Sequence, residues 1–279
     1  MRNTKIRLTV LAAGFLALLW GFQALILNHA PGVFMAKEED MSFGWYVPLF
    51  SLYVVWTERK KILSSLGEPS LLGFAAMFPF LFVGFLGARG LQVRFEILAF
   101  SGLIFTFVWA VFGYRSARAI LFPAAFLLFC IPLATFLDVV TVHLRLLASN
   151  VAYGVLHGFG AEVIRQGTII GAADGSFAID VAEPCSGLRS IFALTALTAA
   201  YSYLTQPTLL RKILLFAFAV PVAVLGNVAR ILTICMVANW ASGDFATGFY
   251  HDYSGYVVFI VAISLIVVLG EFIKKGAKK

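Results

Sequence analysis

Polar and charged residues in this chain fall in short clusters, and long apolar stretches run between them. Eight stretches stand out, at roughly 8–27, 43–57, 70–88, 95–113, 119–137, 186–204, 213–238 and 254–272. A transmembrane helix needs about 20 mostly apolar residues. The second stretch is short, and the others approach or reach that length. None shows the alternation of a barrel strand. In lipid every backbone group must be satisfied internally, so the pattern predicts helices. The expected fold class is an all-α polytopic membrane protein with about eight transmembrane helices.

The segment 138–184, between the fifth and sixth stretches, is the one long break in this pattern. Its first part, DVVTVHLRLLASNVAYGVLHGFG, has apolar residues at helical spacing interrupted by Asp138, His143, Arg145 and His157. It reads as an amphipathic helix, either lying on the outer surface or partly re-entrant. Two β-rich runs follow, 163–170 and 176–182, around a Gly/Asp-rich turn, and predict a small hairpin. No internal repeat, low-complexity tract or linker divides the chain. It is read as a single integral membrane domain over 1–279.

Composition supports lipid as the solvent. The chain is 61% hydrophobic and 13% charged, with mean hydropathy +0.93, whereas a soluble domain carries about 25% charged residues. The net charge of +7 raises nucleic acid as a partner, but the basic residues sit between apolar runs and read as topology signals. With the N-terminus inside, the inner side receives Arg2, Lys5, Arg7, Arg59, Lys60, Lys61, Arg115, Arg118, Arg211, Lys212, Lys274, Lys275, Lys278 and Lys279. The outer side receives only Lys37, Arg89, Arg94, Arg145 and Arg165. This bias predicts both termini in the cytoplasm, with 138–185 and 240–253 outside. The first run, Leu8–Leu27, reads as an anchor rather than a cleaved signal.

Cys130 and Cys235 lie in apolar runs and read as small core residues. With Cys185 the cysteines are odd in number, and no CxxC pair occurs. Neither a disulfide framework nor a zinc site is indicated, and no metal or cofactor is expected. Cys185 is different, because it stands at the mouth of the sixth run in DVAEPCSGLRSIFAL. Pro184 favours a helix starting there. A thiol at a helix N-terminus meets the positive end of the dipole, which favours thiolate. Arg189 follows about one turn down the same face. Ser186 and Gly187 allow backbone N–H groups to approach a carbonyl or oxyanion. The alternative is a structural cysteine at a helix start. Glu183 and Asp180 flank it, either as contacts for a basic substrate residue or as solvated surface.

Arg230 is a charge inside an apolar run, about seventeen residues and roughly 25 Å from the inner end of its span. Such charges normally face a polar pocket, although snorkelling to the interface is the alternative. Asn227, three residues earlier, either shares that pocket or bridges helices. His251 precedes the last span in FYHDYSGYVVF, beside Tyr250, Asp252 and Tyr253, a group that could also form an aromatic belt. By the charge bias, Cys185, Arg230 and His251 lie near one outer face on three different spans. A nucleophile, a cation and an acid/base group then have a common place to meet. His29, His143 and His157 form no metal-spacing motif, and Asp138 reads as a helix cap.

On EPCSGLRS (183–190), NVARI (227–231), HDYSGYVVF (251–259) and FCIPLATFLDVVT (129–141), the chain resembles the exosortase/archaeosortase family. The resemblance covers about 120–260, which would be the catalytic core. It implies a thiol protease or transpeptidase acting on protein substrates. Their C-terminal sorting signals would combine a short motif such as Pro-Glu-Pro (the PEP-CTERM type), a transmembrane helix and a basic tail. The family's catalytic Cys, Arg and His map onto Cys185, Arg230 and His251, and Arg189 matches the arginine after CSG. The chain ends soon after the last span, so the extra C-terminal domain of some long members is not expected.

The resulting expectation is acyl transfer at the outer face of the cytoplasmic (inner) membrane, facing the periplasm or exterior. Membrane lipid and a protein substrate are the expected partners, without nucleic acid. Ser186, Gly187, Arg189, Asn227, Glu183 and Asp252 would support the three catalytic groups. Two other classes compete with this reading. A transporter or channel would line an anion path with Arg189 and Arg230 and be indifferent to Cys185. A non-catalytic scaffold would bind a partner helix and keep Cys, Arg and His apart.

Overall fold

The computed structural model describes residues 2–36, 41–132, 138–180, 188–241 and 243–275. The chain forms two compact units, Met1–Leu133 and Ala134–Lys279. All the candidate site residues fall in the second.

In the first unit, α1 (Arg2–Gly21) is followed by a π-helical turn, Leu25–His29, and by α2 (Ala30–Met35). A 3-10 turn, Ser42–Trp45, leads into α3 (Tyr46–Thr57), and α4 (Arg59–Ser64) follows. Next, α5 (Leu71–Ala75) and α6 (Met77–Arg89) run nearly end to end. Ser70 caps α5 by accepting the Gly73 N–H at 3.3 Å. Then come α7 (Val93–Ala119), α8 (Leu121–Phe126) and a 3-10 turn, Leu127–Cys130.

α7 is broken at Gly113, which has φ 81° and ψ 170°. Only glycine enters that region freely. The loop before α5 uses the backbone acceptors at the break. The Gly67 N–H donates to the Phe112 carbonyl at 2.8 Å, and the Ser70 N–H to that of Ala110 at 3.0 Å. Arg7 ties down the same loop, donating to the Gly67 carbonyl at 2.8 Å and to the Glu68 carboxylate at 2.6 Å. Near the start of α7, Glu96 is buried (3% exposed), with both carboxylate oxygens within 3.1 Å of His29 Nδ1.

The second unit opens with α9 (Asp138–Gly158) and a three-stranded antiparallel sheet in the order β1 (Val163–Gln166), β2 (Ile169–Ala172), β3 (Ala178–Asp180). The sequence predicts one hairpin here, and the chain makes one turn more. The run 163–170 folds back on itself at Gly167 (φ 63°), with Gln166 paired to Ile169. A two-residue turn led by glycine joins twisted strands without splaying them. In the exposed β2–β3 turn the Ser176 N–H donates to Asp174 Oδ1 at 2.9 Å, which holds that carboxyl below its usual range.

After the sheet come α10 (Leu188–Thr205), α11 (Leu209–Ala217), α12 (Ala219–Trp240) and the one-turn α13 (Gly243–Phe245). A π-helical turn, Ala246–Tyr250, then enters α14 (His251–Lys275). One core joins Ala148, Ala152 and Leu156 of α9 to Ile170 and Ile179 of the sheet and Ile231 of α12. The four-residue spacing in α9 puts its three on one face. A second core joins Leu194 of α10, Leu215 of α11, Val222 of α12 and Ile266 of α14. At the α10 C-terminus, Gln206 Nε2 donates to the Gly270 carbonyl at 3.0 Å.

Among the described residues, four helical runs are long and apolar enough to cross a membrane: Leu71–Arg89, Val93–Ala119, Leu209–Trp240 and Gly248–Lys275. A fifth follows if Thr9–Gly21 and Leu25–Met35, bent by 58°, count as one span. Of the eight expected spans, four or five thus have the length and apolarity to cross among the described residues. All eight apolar stretches contain helix, but α3 has only 12 residues, or about 18 Å of rise against a core of about 30 Å. Leu121–Cys130 and Ser190–Thr205 are likewise shorter apolar helices. The long helices turn apolar side chains outward. On α14, Tyr256 (71%), Ile260 (63%) and Phe272 (69%) are exposed while Ser254 is buried (5%). Large exposed apolar surfaces are costly in water, and here they form the face of a multi-pass membrane protein.

Candidate functional site

Arg230 and His251 meet in the second unit. Arg230 lies on α12, whose apolar length brings it alongside the first turn of α14. Arg230 Nη2 lies 3.1 Å from His251 Nε2 and donates to the His251 carbonyl at 2.9 Å. A guanidinium carries donors only. In this contact Nε2 must therefore accept, and a neutral His251 keeps its proton on Nδ1. Arg230 Nε donates to Ser254 Oγ at 3.3 Å, and Ser254 Oγ donates to the His251 carbonyl at 3.1 Å. Among the described residues Nη1 has no hydrogen-bond partner.

A crevice of about 20 Å³ opens beside this group, lined by Ser190, Ala223, Gly226, Asn227, Arg230 and Gly255 among others. About one water-sized sphere needs roughly 10–15 Å³, so the crevice accepts a single oxygen-sized group. Gly255 forms part of its wall, and a Cβ added there would make ordinary contact, 3.4–3.6 Å, with the Arg230 guanidinium atoms. Ser190 on the first turns of α10 thus shares a wall with Arg230 and Asn227 from α12 and Gly255 from α14. The start of α10, to which the CSG motif leads, comes to the Arg230 end of the bundle.

The expected residues divide as follows. Arg230 and His251 touch, and Asn227 lines the same crevice. Cys185, Ser186, Gly187 and Glu183 lie outside the described residues. Arg189 and Asp252 occupy the first turns of α10 and α14, of which the backbone alone is described. Asp180 ends β3 and accepts from Thr168 Oγ1 at 2.9 Å. Tyr250 packs against the α9–sheet core, and Tyr253 against Phe249 at 4.5 Å between ring centres. Cys130 and Cys235 are buried free thiols, as their apolar settings led one to expect.

Two polar residues in the structure escaped the sequence reading. Ser254 carries a signal in hindsight, since it sits three residues after His251 on one helix face. Glu96 carries a plainer one, an ionisable residue at the edge of an apolar run.

A family model described as transmembrane exosortase matches residues 34–268. Comparison with curated proteins and comparison with solved structures gave no match. The matched stretch takes in α3 to α14 and with them the Arg230–His251 contact. By that match the chain belongs to the transmembrane exosortase family, membrane transpeptidases and proteases of protein sorting.

Proposed function

We propose that the chain cleaves C-terminal sorting signals of exported proteins at the outer membrane face, with Cys185 as nucleophile and Arg230 and His251 as its partners. The observation that carries this reading is the 3.1 Å contact between Arg230 Nη2 and His251 Nε2, in a member of a family that acts on sorting signals. Chain connectivity supports it further. Ser190 lines the Arg230 crevice and follows Cys185 by five residues, a separation that can span at most about 18 Å.

In this reading Cys185 gives its proton to His251 and its sulfur attacks the scissile carbonyl. The C–S bond forms as the carbonyl electrons move onto oxygen. Protonation of Nε2 ends its acceptance from Arg230, and the guanidinium turns its Nη donors to the oxyanion. Collapse restores the carbonyl, breaks the C–N bond, and sends the His251 proton to the leaving amine. The product is a thioester between the substrate and Cys185. An amine or water then attacks it, His251 takes the incoming proton, and the sulfur leaves as thiol or thiolate. The reading puts this chemistry on the periplasmic or exterior side of the cytoplasmic membrane, with both termini inside and the substrate helix beside the catalytic helices, and the Lys and Arg distribution supports it.

The test is co-expression with a tagged protein ending in a motif, an apolar helix and a basic tail. Wild type is expected to produce a size shift and a trappable thioester, both lost in Cys185→Ala. Equal shifts in both strains would assign the cleavage to another protease and overturn the reading.

A further inference from the structure

Ser254 stands apart from the groups named so far. We infer that it is a positioning residue for Arg230, the fixed point about which the guanidinium turns. This rests on the reading of Arg230 as the oxyanion donor.

The argument begins with hydrogen-bond capacity. A serine hydroxyl has one proton and two acceptor lone pairs. In the structure the proton is committed to the His251 carbonyl at 3.1 Å, so the lone pairs face Arg230 Nε at 3.3 Å. Ser254 is only 5% exposed, so little water is at hand to replace it. The bond to Nε differs in kind from those made by Nη2. Nη2 holds His251, and that contact must be surrendered when Nε2 takes up a proton. Nε lies at the base of the guanidinium, and its bond can persist while both Nη groups swing. Ser254 thus keeps the arginine in place at the moment its other tether is released. Helical spacing contributes as well: His251 and Ser254, three residues apart at the start of α14, lie on one face. Crowding is not the reason for the arrangement. Gly255 leaves the guanidinium in ordinary contact distance even of an added methyl.

The experiment measures cleavage of the tagged substrate by wild type, Ser254→Ala, Ser254→Thr, Arg230→Lys and the Ser254→Ala/Arg230→Lys pair, each checked for thermal stability in detergent. Loss of a hydrogen bond to a charged group costs about 10- to 100-fold, and Ser254→Ala is expected to lose turnover by that factor with KM unchanged. Ser254→Thr keeps a hydroxyl able to bond the same i−3 carbonyl and is expected to restore activity. Lysine has no Nε, so Ser254→Ala should cost nothing further in the Arg230→Lys background. An equal loss in both backgrounds, or a threonine variant as impaired as alanine, would overturn the inference. Should Arg230→Lys leave no measurable activity, the threonine comparison decides. Full activity in Arg230→Lys would instead defeat the functional reading on which the inference rests.

Discussion

Arg230 could hold its charge with a lysine in its place, but not its geometry. It makes three contacts through two nitrogens of a planar fork, and a lysine offers one point charge. Arg230→Lys is therefore expected to lower turnover by about 10²–10³, measured on the tagged substrate. His29 and Glu96 make a different residue-scale case. Their contact is 3.0 Å, with the Glu96 side chain 4% exposed. His29→Ala leaves a buried carboxyl group without this hydrogen-bond partner and is expected to destabilise the protein by about 1–3 kcal/mol, read as a lower melting temperature in detergent. An unchanged melting temperature would show that the carboxylate is already neutral or otherwise satisfied. Arg230 and His251 were legible in the sequence because ionisable groups beside long apolar runs need a reason to be there. Ser254 was not, since a serine on a helix commonly bonds its own i−3 carbonyl and looks neutral.

Helices here are shaped by single residues that sequence patterns weigh lightly. Gly113 closes the apolar stretch 95–113, and hydropathy gives no sign that the helix itself breaks there. Yet its φ of 81° and the Glu68 carbonyl 2.7 Å from a would-be Cβ break α7 there. Gly113→Ala is expected to cost about 1–3 kcal/mol for the backbone alone, more with the clash. Gly154 in α9 is the contrast, with nothing within 4 Å of an added methyl. Gly154→Ala is expected to stabilise by about 0.5–1 kcal/mol, and paired melting curves check both signs. The same blindness explains the extra turn in the sheet: the run 163–170 reads as one strand because its apolar content hides the turn at Gly167.

The division of the chain into a Met1–Leu133 unit and an Ala134–Lys279 unit was not legible, because apolar runs with short connections look continuous across a boundary. The membrane character was, since 61% hydrophobic content leaves no other solvent. The proposed orientation rests on the Lys and Arg distribution and is open to direct measurement. A reporter that fluoresces only in the cytoplasm is expected to be bright when fused after Lys279 and dark when inserted in the exposed turn 173–176. The reverse result would invert the topology and put the Arg230 site on the inner face.

The crevice beside Arg230 has room for one oxygen. A recess that small can recognise the backbone that every protein shares, but it cannot read a side chain. Choice of client would then come, on the proposed function, from outside that recess, from the helix and tail that bring a polypeptide to it. On the proposed function, a secreted protein would enter this enzyme's repertoire by acquiring a terminal extension, with its folded domain left as it was. Unrelated proteins of one cell could thus be handled by a single membrane enzyme, and new ones recruited by gene fusion alone.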